Sequence, residues 1–356
     1  MTNRTKPQVH CQWHPLKEVW VGSTYSPNYY RDIKNSKIRD FLQKIAQETQ
    51  EDLDNLARIC EQYGATVRRP QLDPNESMMD LIQGQVPFNA TNRPPMQPRD
   101  AQLIVKDQFV LGDRDHKSFV HLALDTIDND HLVNCFALEP NNPMYINPQT
   151  VPPMQGAGGA VILKYGRDIF VSSEGCYEFV PDFAKAAFGE GYRIHPLKVD
   201  SHADAKISII NPNLMIAAHM VDDYFRDWKG TKVVLDGNIW QKLVAFDAVA
   251  TRYKGKYWSP EAENNPEICN WVDDYMAAWL NYSSVTFFDL NLLSLDEKTI
   301  VVASYNKDIY DAAEKQGIEV IHAPLRHRFF WDGGVHCCTL DILREGALED
   351  YNLLCR

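Results

Sequence analysis

The sequence lacks most of the signals that would place it in a specialised class of protein. Its 356 residues include eight cysteines, but these form no Cys-x-x-Cys pair and no compact framework spacing. No signal peptide is recognisable at the N-terminus, so we expect reduced thiols in a cytoplasmic protein. No apolar run approaches the roughly 20 residues of a membrane span, so we expect no membrane association.

Positive charge is also scarce. The chain has 36 Lys and Arg against 48 Asp and Glu, a net charge of −12. Because nucleic-acid binding draws on clustered Lys and Arg, we expect no nucleic-acid partner. An acidic chain is compatible with a cationic substrate, although the charge alone does not show one. The hydrophobic fraction of 44% and charged fraction of 24% are those of an ordinary globular protein.

The one glycine-rich stretch does not have the pattern of a nucleotide site. It runs Gln155-Gly-Ala-Gly-Gly-Ala160. It lacks the Gly-Lys-Ser/Thr ending of a phosphate loop, and no Rossmann spacing follows, so we exclude both motifs.

Strand and helix patterns alternate at both ends of the chain. A strand at Leu16 to Val21, an amphipathic helix from Ile38 to Gln62 and a strand after Gly64 form one unit. Residues 299–322 repeat this order, and Glu314-Lys-Gln-Gly-Ile-Glu-Val is similar to Glu61-Gln-Tyr-Gly-Ala-Thr-Val. This alternation predicts an α/β fold, and the two similar units indicate internal pseudo-symmetry.

The middle of the chain gives weaker predictions. Turn-forming and polar residues predict long loops at 71–99 and 125–158. Residues 101–111 read as a hairpin with a Lys-Asp turn, and 239–253 as a helix.

The stretch from Phe329 to Asp341 combines a turn with reactive side chains. It contains Gly-Gly-Val-His336-Cys337-Cys338-Thr, in which two glycines allow a sharp turn and close approach to a ligand. A thiol presented on a turn can act as a nucleophile once it is deprotonated. A reduced pair of core cysteines after a hairpin explains the same residues. We discount a zinc site because adjacent ligands rarely supply tetrahedral spacing.

Two further places carry acids or a histidine suited to a polar pocket. Asp100 stands at the mouth of a predicted strand, where it could bind a ligand or cap a turn with Arg99. His202 and Asp204 would share one face of an extended segment and could reach one pocket. Histidine suits proton transfer near neutral pH, whereas a histidine on a polar loop is the simpler alternative.

Taken together, these motifs resemble those of the amidinotransferases, the family that includes arginine:glycine and inosamine-phosphate amidinotransferases. The end of the chain matches the family's closing pattern Gly-Gly-x-His-Cys-x-Thr-x-Asp, followed by Arg344, Gly346 and Tyr351. Weaker matches occur in the family's order, and they are the stretches Trp13 to Gly22, Gly64 to Pro70, Pro98 to Asp100, Tyr165 to Phe170 and Asn291 to Lys298.

The resemblance implies a pentein fold, an α/β propeller of five ββαβ-like modules with pseudo-fivefold symmetry, as one catalytic domain over residues 1–356. It also implies that an amidino group passes from L-arginine or a related guanidino donor to a small amine such as glycine, releasing ornithine. No metal or organic cofactor is implied. Some family members are dimers, which leaves a homodimer open.

The resemblance also implies roles for individual residues. Cys337 would be the nucleophile and His202 the general acid/base, while Asp100 and Asp204 would bind the guanidinium. The remaining substrate-binding residues would be Arg99, Ser284, Asn291, Gly334 and His336. Cys338 is expected to be a packing residue.

One departure from the family concerns the acid that orients the catalytic histidine. No carboxylate stands between Met154 and Gly166, where the family has one, and Gln155 is the candidate replacement. An amide can hold the ring but stabilises imidazolium less well than a carboxylate. Asp332 adds a negative charge where a glycine is common. We therefore keep three hypotheses: an amidinotransferase, a guanidino-group hydrolase (arginine deiminase- or dihydrolase-like) yielding citrulline or ornithine with urea, and a non-catalytic binder of guanidino compounds.

Overall fold

Five small mixed sheets repeat one plan along the chain. The computed structural model describes residues 4–83, 93–111, 116–147, 149–150, 157–235, 265–276 and 288–354. Within them each sheet has three strands, of which the central one pairs antiparallel on one side and parallel on the other. This arrangement confirms the predicted five ββαβ-like modules.

Four of the sheets are built from strands consecutive in the chain. In each of these sheets the first strand is antiparallel to the second, central strand, and the third is parallel to it. The strands are β3–β5 (Leu103–Val105, Gln108–Leu111 and Leu132–Asn134), β6–β8 (Ile162–Tyr165, Asp168–Ser172 and Arg193–Leu197), β9–β11 (Ile207–Asn211, Leu214–Ala218 and Thr231–Leu235) and β12–β14 (Leu293–Asp296, Thr299–Val302 and Glu319–His322).

The fifth sheet joins the beginning of the chain to its end. Its central strand β1, Leu16–Val21, is parallel to β2, Thr66–Arg68, and antiparallel to β15, Thr339–Arg344. Val21 pairs with Thr339. The residues just before β15 therefore lie at the end of β1, and the Cys337 segment is held by long-range pairing.

In four modules an α-helix lies between the central strand and its parallel partner, and in the β9–β11 module a 3₁₀ stretch takes that place. The α-helices are α1 Ser36–Gln62, α2 Met79–Ile82, α3 Pro98–Ala101, α4 Lys117–Thr126, α5 Val180–Phe188, α6 Pro266–Met276, α7 Lys307–Lys315 and α8 Arg328–Trp331. Short 3₁₀ stretches occur at Pro27–Tyr30, Asn129–His131, Gly175–Tyr177, Ala203–Ala205 and His219–Phe225. Among the described helices, none is long and apolar enough to cross a membrane.

The longest helix shows how sequence sets these elements. Asn35 begins α1, because its side chain accepts hydrogen bonds from the backbone N–H groups of Lys37 and Ile38. The helix ends before Gly64, whose φ of +86° favours glycine. Gly317, with φ +65°, follows α7 in the same way. The similarity between these two sequence segments therefore reflects two equivalent turns.

Several predictions need correction. The segment 125–158 contains the strand β5, and 71–99 contains α2 and α3, so neither is entirely loop. The residues after His202 form a 3₁₀ turn, not an extended segment. The helix predicted at 239–253 lies outside the described residues.

Candidate active site

The Cys337 segment connects α8 to β15 and is held in place by Asn291. The Asn291 side chain accepts a hydrogen bond from the Cys337 N–H at 3.0 Å and donates to Cys337 Sγ at 3.1 Å. A Cβ atom at Gly334 would lie 2.5 Å from Asn291 Oδ1, which explains why glycine stands there. Cys338 points into the hydrophobic core, as predicted for a packing residue.

His202 and Asp100 approach the same thiol from two other modules. His202 begins the 3₁₀ turn Ala203–Ala205 after β8, and Asp100 lies in α3 before β3. His202 Nδ1 is 3.8 Å from Asp100 Oδ1. His202, Asp100 and Cys337 each offer one potential ligand atom, and these three atoms lie within 4.8 Å of one another. In the described part of the chain, this is the one grouping of side chains able to hold a metal ion.

Asp204 contacts both His336 and Cys337. Its Oδ2 atom lies 2.7 Å from His336 Nδ1 and 3.5 Å from the Cys337 thiol. The other nitrogen of His336, Nε2, is 3.3 Å from the Gln12 amide nitrogen. His336 is thus buried between a carboxylate and an amide, whereas a quarter of the His202 side chain is exposed.

Two carboxylate oxygens of the site accept no hydrogen bond from the described residues, although one of them, Asp100 Oδ1, faces His202 Nδ1 at 3.8 Å. Asp100 Oδ1 and Asp204 Oδ1 are buried, and neither accepts a hydrogen bond from the residues described. Buried acceptors are satisfied in nearly all folded proteins, so unsatisfied ones beside a nucleophile mark the place of a ligand with donors. A guanidinium carries five such donors in a plane.

The electrostatics of the site favour a bound cation. Burial and the charges of Asp204 and Asp100 raise the pKa of the Cys337 thiol well above its ordinary value, although the hydrogen bond from Asn291 lowers it. Burial raises the pKa of Asp100, and the positive charge of His202 opposes this shift. A cation between the two carboxylates would offset these effects and favour the thiolate.

Asp204 behaves differently from Asp100. Burial acts to raise the pKa of Asp204, but the hydrogen bond from His336, together with His202 and Arg99, holds that pKa below its ordinary value. The ionised form of Asp204 is therefore favoured next to the thiol.

A buried charge network supports this region from below. Arg99 donates to the carbonyls of His336 and Thr339, each at 2.9 Å, and to Asp341 at 2.8 Å. Arg344 donates to the other oxygen of Asp341 at 2.8 Å. Arg99 thereby fixes the backbone on either side of Cys337 and is itself only 2% exposed. This placement gives Arg99 a supporting position, and the substrate contact predicted for it stays a prediction.

The other predicted site residues are distributed as follows. Asn291 and Gly334 lie at the thiol, and His336 lies behind it. Ser284 and Gln155 fall outside the described residues. Gly158, in the glycine run excluded as a phosphate loop, packs closely against α3. A Cβ atom at Gly158 would lie 2.1 Å from the Asp100 carbonyl oxygen. Sequence reasoning missed Gln12, Asp341 and Arg344 as supports, although the latter two stand inside the closing motif.

Sequence comparisons match nearly the whole chain. No family model matches it. Inosamine-phosphate amidinotransferase 1 of Streptomyces glaucescens is 24% identical, and the match covers 96% of this chain and 98% of that protein. The mitochondrial glycine amidinotransferase of Danio rerio is 20% identical, covering 97% of this chain and 84% of that protein. The predicted resemblance to the amidinotransferases is thereby confirmed.

Comparison with solved structures confirms the pentein fold. The inosamine-phosphate amidinotransferase of Streptomyces griseus superposes with a TM-score of 0.61 at 20% identity, covering 98% of this chain and 99% of that one. The N-terminal domain of a cyanobacterial arginine dihydrolase has a TM-score of 0.52 at 11% identity, covering 92% of this chain and 98% of that one. Because this fold carries both transferases and hydrolases, the fold alone does not assign the reaction.

Proposed function

We propose that this amidinotransferase-like chain is one catalytic domain that transfers an amidino group from L-arginine to a small amine such as glycine. The observation that carries the proposal is that Asp100 and Asp204 flank the Cys337 thiol, and that each keeps one buried oxygen, Oδ1, which accepts no hydrogen bond from the described residues. A guanidinium held by these oxygens would satisfy both acceptors and place its carbon next to Sγ.

Substrate binding itself would activate the nucleophile. Burial, together with the charges of Asp204 and Asp100, raises the thiol pKa, so Cys337 is protonated near neutral pH. A bound guanidinium compensates the two carboxylates and lowers that pKa, and the thiol proton passes to the imidazole of His202. The reactive thiolate therefore forms when the cationic donor is present.

The first half-reaction breaks the donor's carbon–nitrogen bond. Cys337 Sγ attacks the central guanidinium carbon, and His202 returns its proton to the departing side-chain nitrogen as that bond breaks. Ornithine leaves as an amine. A cationic amidino group remains on Cys337.

The second half-reaction reverses these roles. The acceptor amine attacks the amidino carbon and gives one proton to His202, while the carbon–sulfur bond breaks. The proton then returns to the thiolate, and the new guanidinium leaves with the positive charge that the donor brought. Each half-reaction conserves charge and needs no redox partner.

Asp100 would also compensate for the missing orienting acid. Its Oδ1 atom is the carboxylate oxygen 3.8 Å from His202 Nδ1. This distance is longer than a hydrogen bond but close enough for a carboxylate to stabilise an imidazolium. Asp100 would therefore serve the guanidinium and the histidine in the same site, a double role that fits the absence of a carboxylate from residues 155–165.

A product assay tests the reaction class. The purified protein is incubated with L-arginine, with and without glycine or another small amine, and products are followed by mass spectrometry. We expect ornithine together with the guanidino derivative of the amine, and no turnover by the Cys337→Ala variant. Citrulline, or urea with ornithine, formed without an amine would instead establish the hydrolase. Arginine binding without any product would establish the non-catalytic binder.

A further inference from the structure

The imidazole of His336 is fixed in one protonation state by its two neighbours. The Gln12 amide nitrogen can only donate, so His336 Nε2, 3.3 Å away, accepts. The remaining proton therefore resides on Nδ1, which donates to Asp204 Oδ2 at 2.7 Å. Both ring nitrogens are engaged, which leaves neither of them for substrate.

The charges around His336 shift its pKa in opposite directions. Arg99, which donates to the His336 carbonyl, is the nearby cation, while Asp204 and Asp341 are the nearby acids. Arg344 and Asp204 line a cavity of about 10 Å³ beside the ring, the size of one water. Burial and Arg99 lower the pKa of His336, which favours the neutral ring.

The orientation of Asp204 depends on this ring. Oδ2 is occupied by His336, so Oδ1 is left as the buried oxygen without a partner. A fully buried carboxylate with no donor would take up a proton, because desolvation disfavours its charged form. The hydrogen bond from Nδ1 opposes that protonation and holds Oδ2, the oxygen 3.5 Å from the Cys337 thiol, so that Oδ1 stays available to a donor.

We infer that His336, held in its neutral tautomer by Gln12, is a positioning residue that keeps Asp204 ionised and leaves its Oδ1 atom for the guanidinium. This inference rests on the proposed function and adds to it a residue that acts through another. His336 would contact no substrate atom. It replaces the substrate-binding role predicted from the motif.

The test compares His336→Leu with His336→Asn in the free protein. The leucine removes the donor, whereas the asparagine amide can donate from near the position of Nδ1 and keeps the Asp204 contact. The rate of Cys337 alkylation by iodoacetamide is measured against pH, with fragmentation of the labelled peptide separating Cys337 from Cys338. The alkylation measurement needs no substrate, so its result does not depend on the proposed reaction.

The expected result follows from the sign of the charge. Loss of the donor lets Asp204 take up a proton, which removes a negative charge beside the thiol and lowers the thiol pKa. The alkylation profile of His336→Leu should therefore move to lower pH by about one unit or more, and that of His336→Asn should stay near the parent. In an Asp204→Asn background, His336→Leu should add no further shift, because the charge is already gone.

The affinity for arginine is a second test, and it is measured by calorimetry on proteins that also carry Cys337→Ala. His336→Leu should weaken binding about tenfold or more, and His336→Asn should restore most of the loss. An unchanged alkylation profile in a folded His336→Leu protein would overturn the inference. Failure of the Cys337→Ala parent to bind arginine, with the profile shifted as expected, would instead count against the proposed donor and leave the positioning role of His336 supported.

Discussion

Two histidines lie beside the same cysteine, and each is paired with an aspartate. The two pairs differ in the distance between histidine and aspartate and in their exposure to solvent. His336 and Asp204 are 2.7 Å apart, and their side chains are 6% and 2% exposed. His202 and Asp100 are 3.8 Å apart, and their side chains are 25% and 19% exposed. The closed pair is fixed in one protonation state, whereas the open pair has room for a substrate and for proton exchange. We therefore expect identical residue types to perform different tasks here, according to how completely their hydrogen bonds are satisfied.

The support beneath the two pairs differs in the same way. The backbone of His336 is held by Arg99, which belongs to the buried network with Asp341 and Arg344. His202 begins a short 3₁₀ turn, and its ring contacts Tyr177 edge-on at 6.2 Å between ring centroids. The closed pair is built into the core, and the open pair lies at its edge.

The largest expected effect separates the two histidines by catalysis. His202→Asn should lower kcat for arginine and glycine by about 10²- to 10⁴-fold, because the general acid/base is lost. His336→Asn is the matched control, since it makes the same change in the other ring and should lower kcat far less. Steady-state kinetics on both variants measures the difference. Equal losses in the two variants would break the distinction between an open and a closed pair.

The next largest effect concerns the network that supports the closed pair. Asp341→Asn removes the carboxylate that joins Arg99 to Arg344, so two buried guanidinium groups lose their counter-charge. Removing one partner of a buried ion pair typically costs about 3–5 kcal/mol, so we expect a loss of that order in the free energy of unfolding. Urea denaturation measures it, with an unchanged m-value indicating a true stability effect.

Asp182→Asn is the matched control for that experiment. Asp182 pairs with Lys185 on the exposed face of α5, where both side chains are more than half exposed. Surface pairs contribute little to stability, so the urea midpoint should stay close to that of the parent. Similar losses from Asp182→Asn and Asp341→Asn would show that the network under Cys337 contributes no more to the free energy of unfolding than a surface ion pair.

The two aspartates should differ in how they control the thiol. Both raise the Cys337 pKa, and Asp204 does so more than Asp100. Asp204→Asn should therefore accelerate alkylation of Cys337 below pH 9, and Asp100→Asn should do so to a smaller extent. A shift of about one pH unit, or tenfold in rate, is expected for Asp204→Asn. A larger shift for Asp100→Asn would reverse the assignment of the two acids.

The smallest effect is expected at Gln12. Gln12→Leu leaves the buried Nε2 atom of His336 without a donor, which should cost about 1 kcal/mol and weaken arginine binding roughly fivefold. His336 can then exchange tautomers, so the loss should appear mainly in KM. A variant with unchanged KM would show that Gln12 does not fix the ring.

The chemistry of the site was more readable from sequence than its geometry. Cys337, His202, Asp100 and Asp204 were selected from short motifs, and the structure brings them together. The argument for His202 and Asp204 assumed an extended segment, yet the residues form a 3₁₀ turn. Their convergence on Cys337 depends on contacts between modules, which local periodicity does not report.

Supporting residues were harder to find because their partners are distant in the chain. Gln12 and His336 are 324 positions apart, and nothing in the sequence around Gln12 indicates that contact. Arg99 was predicted to bind substrate from the family resemblance alone, and its hydrogen bonds to the backbone around Cys337 could not be read from its neighbours in the sequence. The pairing of β15 with β1 was similarly invisible, since it joins the two ends of the chain.

The most direct test of the account is to detect the covalent intermediate on Cys337. The protein is mixed with L-arginine in the absence of an acceptor amine, quenched in acid, and analysed by intact mass and peptide fragmentation. We predict one amidino group on Cys337 for each ornithine released, and its removal when glycine is added before the quench. Product formation with no adduct on Cys337, or an adduct on another residue, would contradict the account.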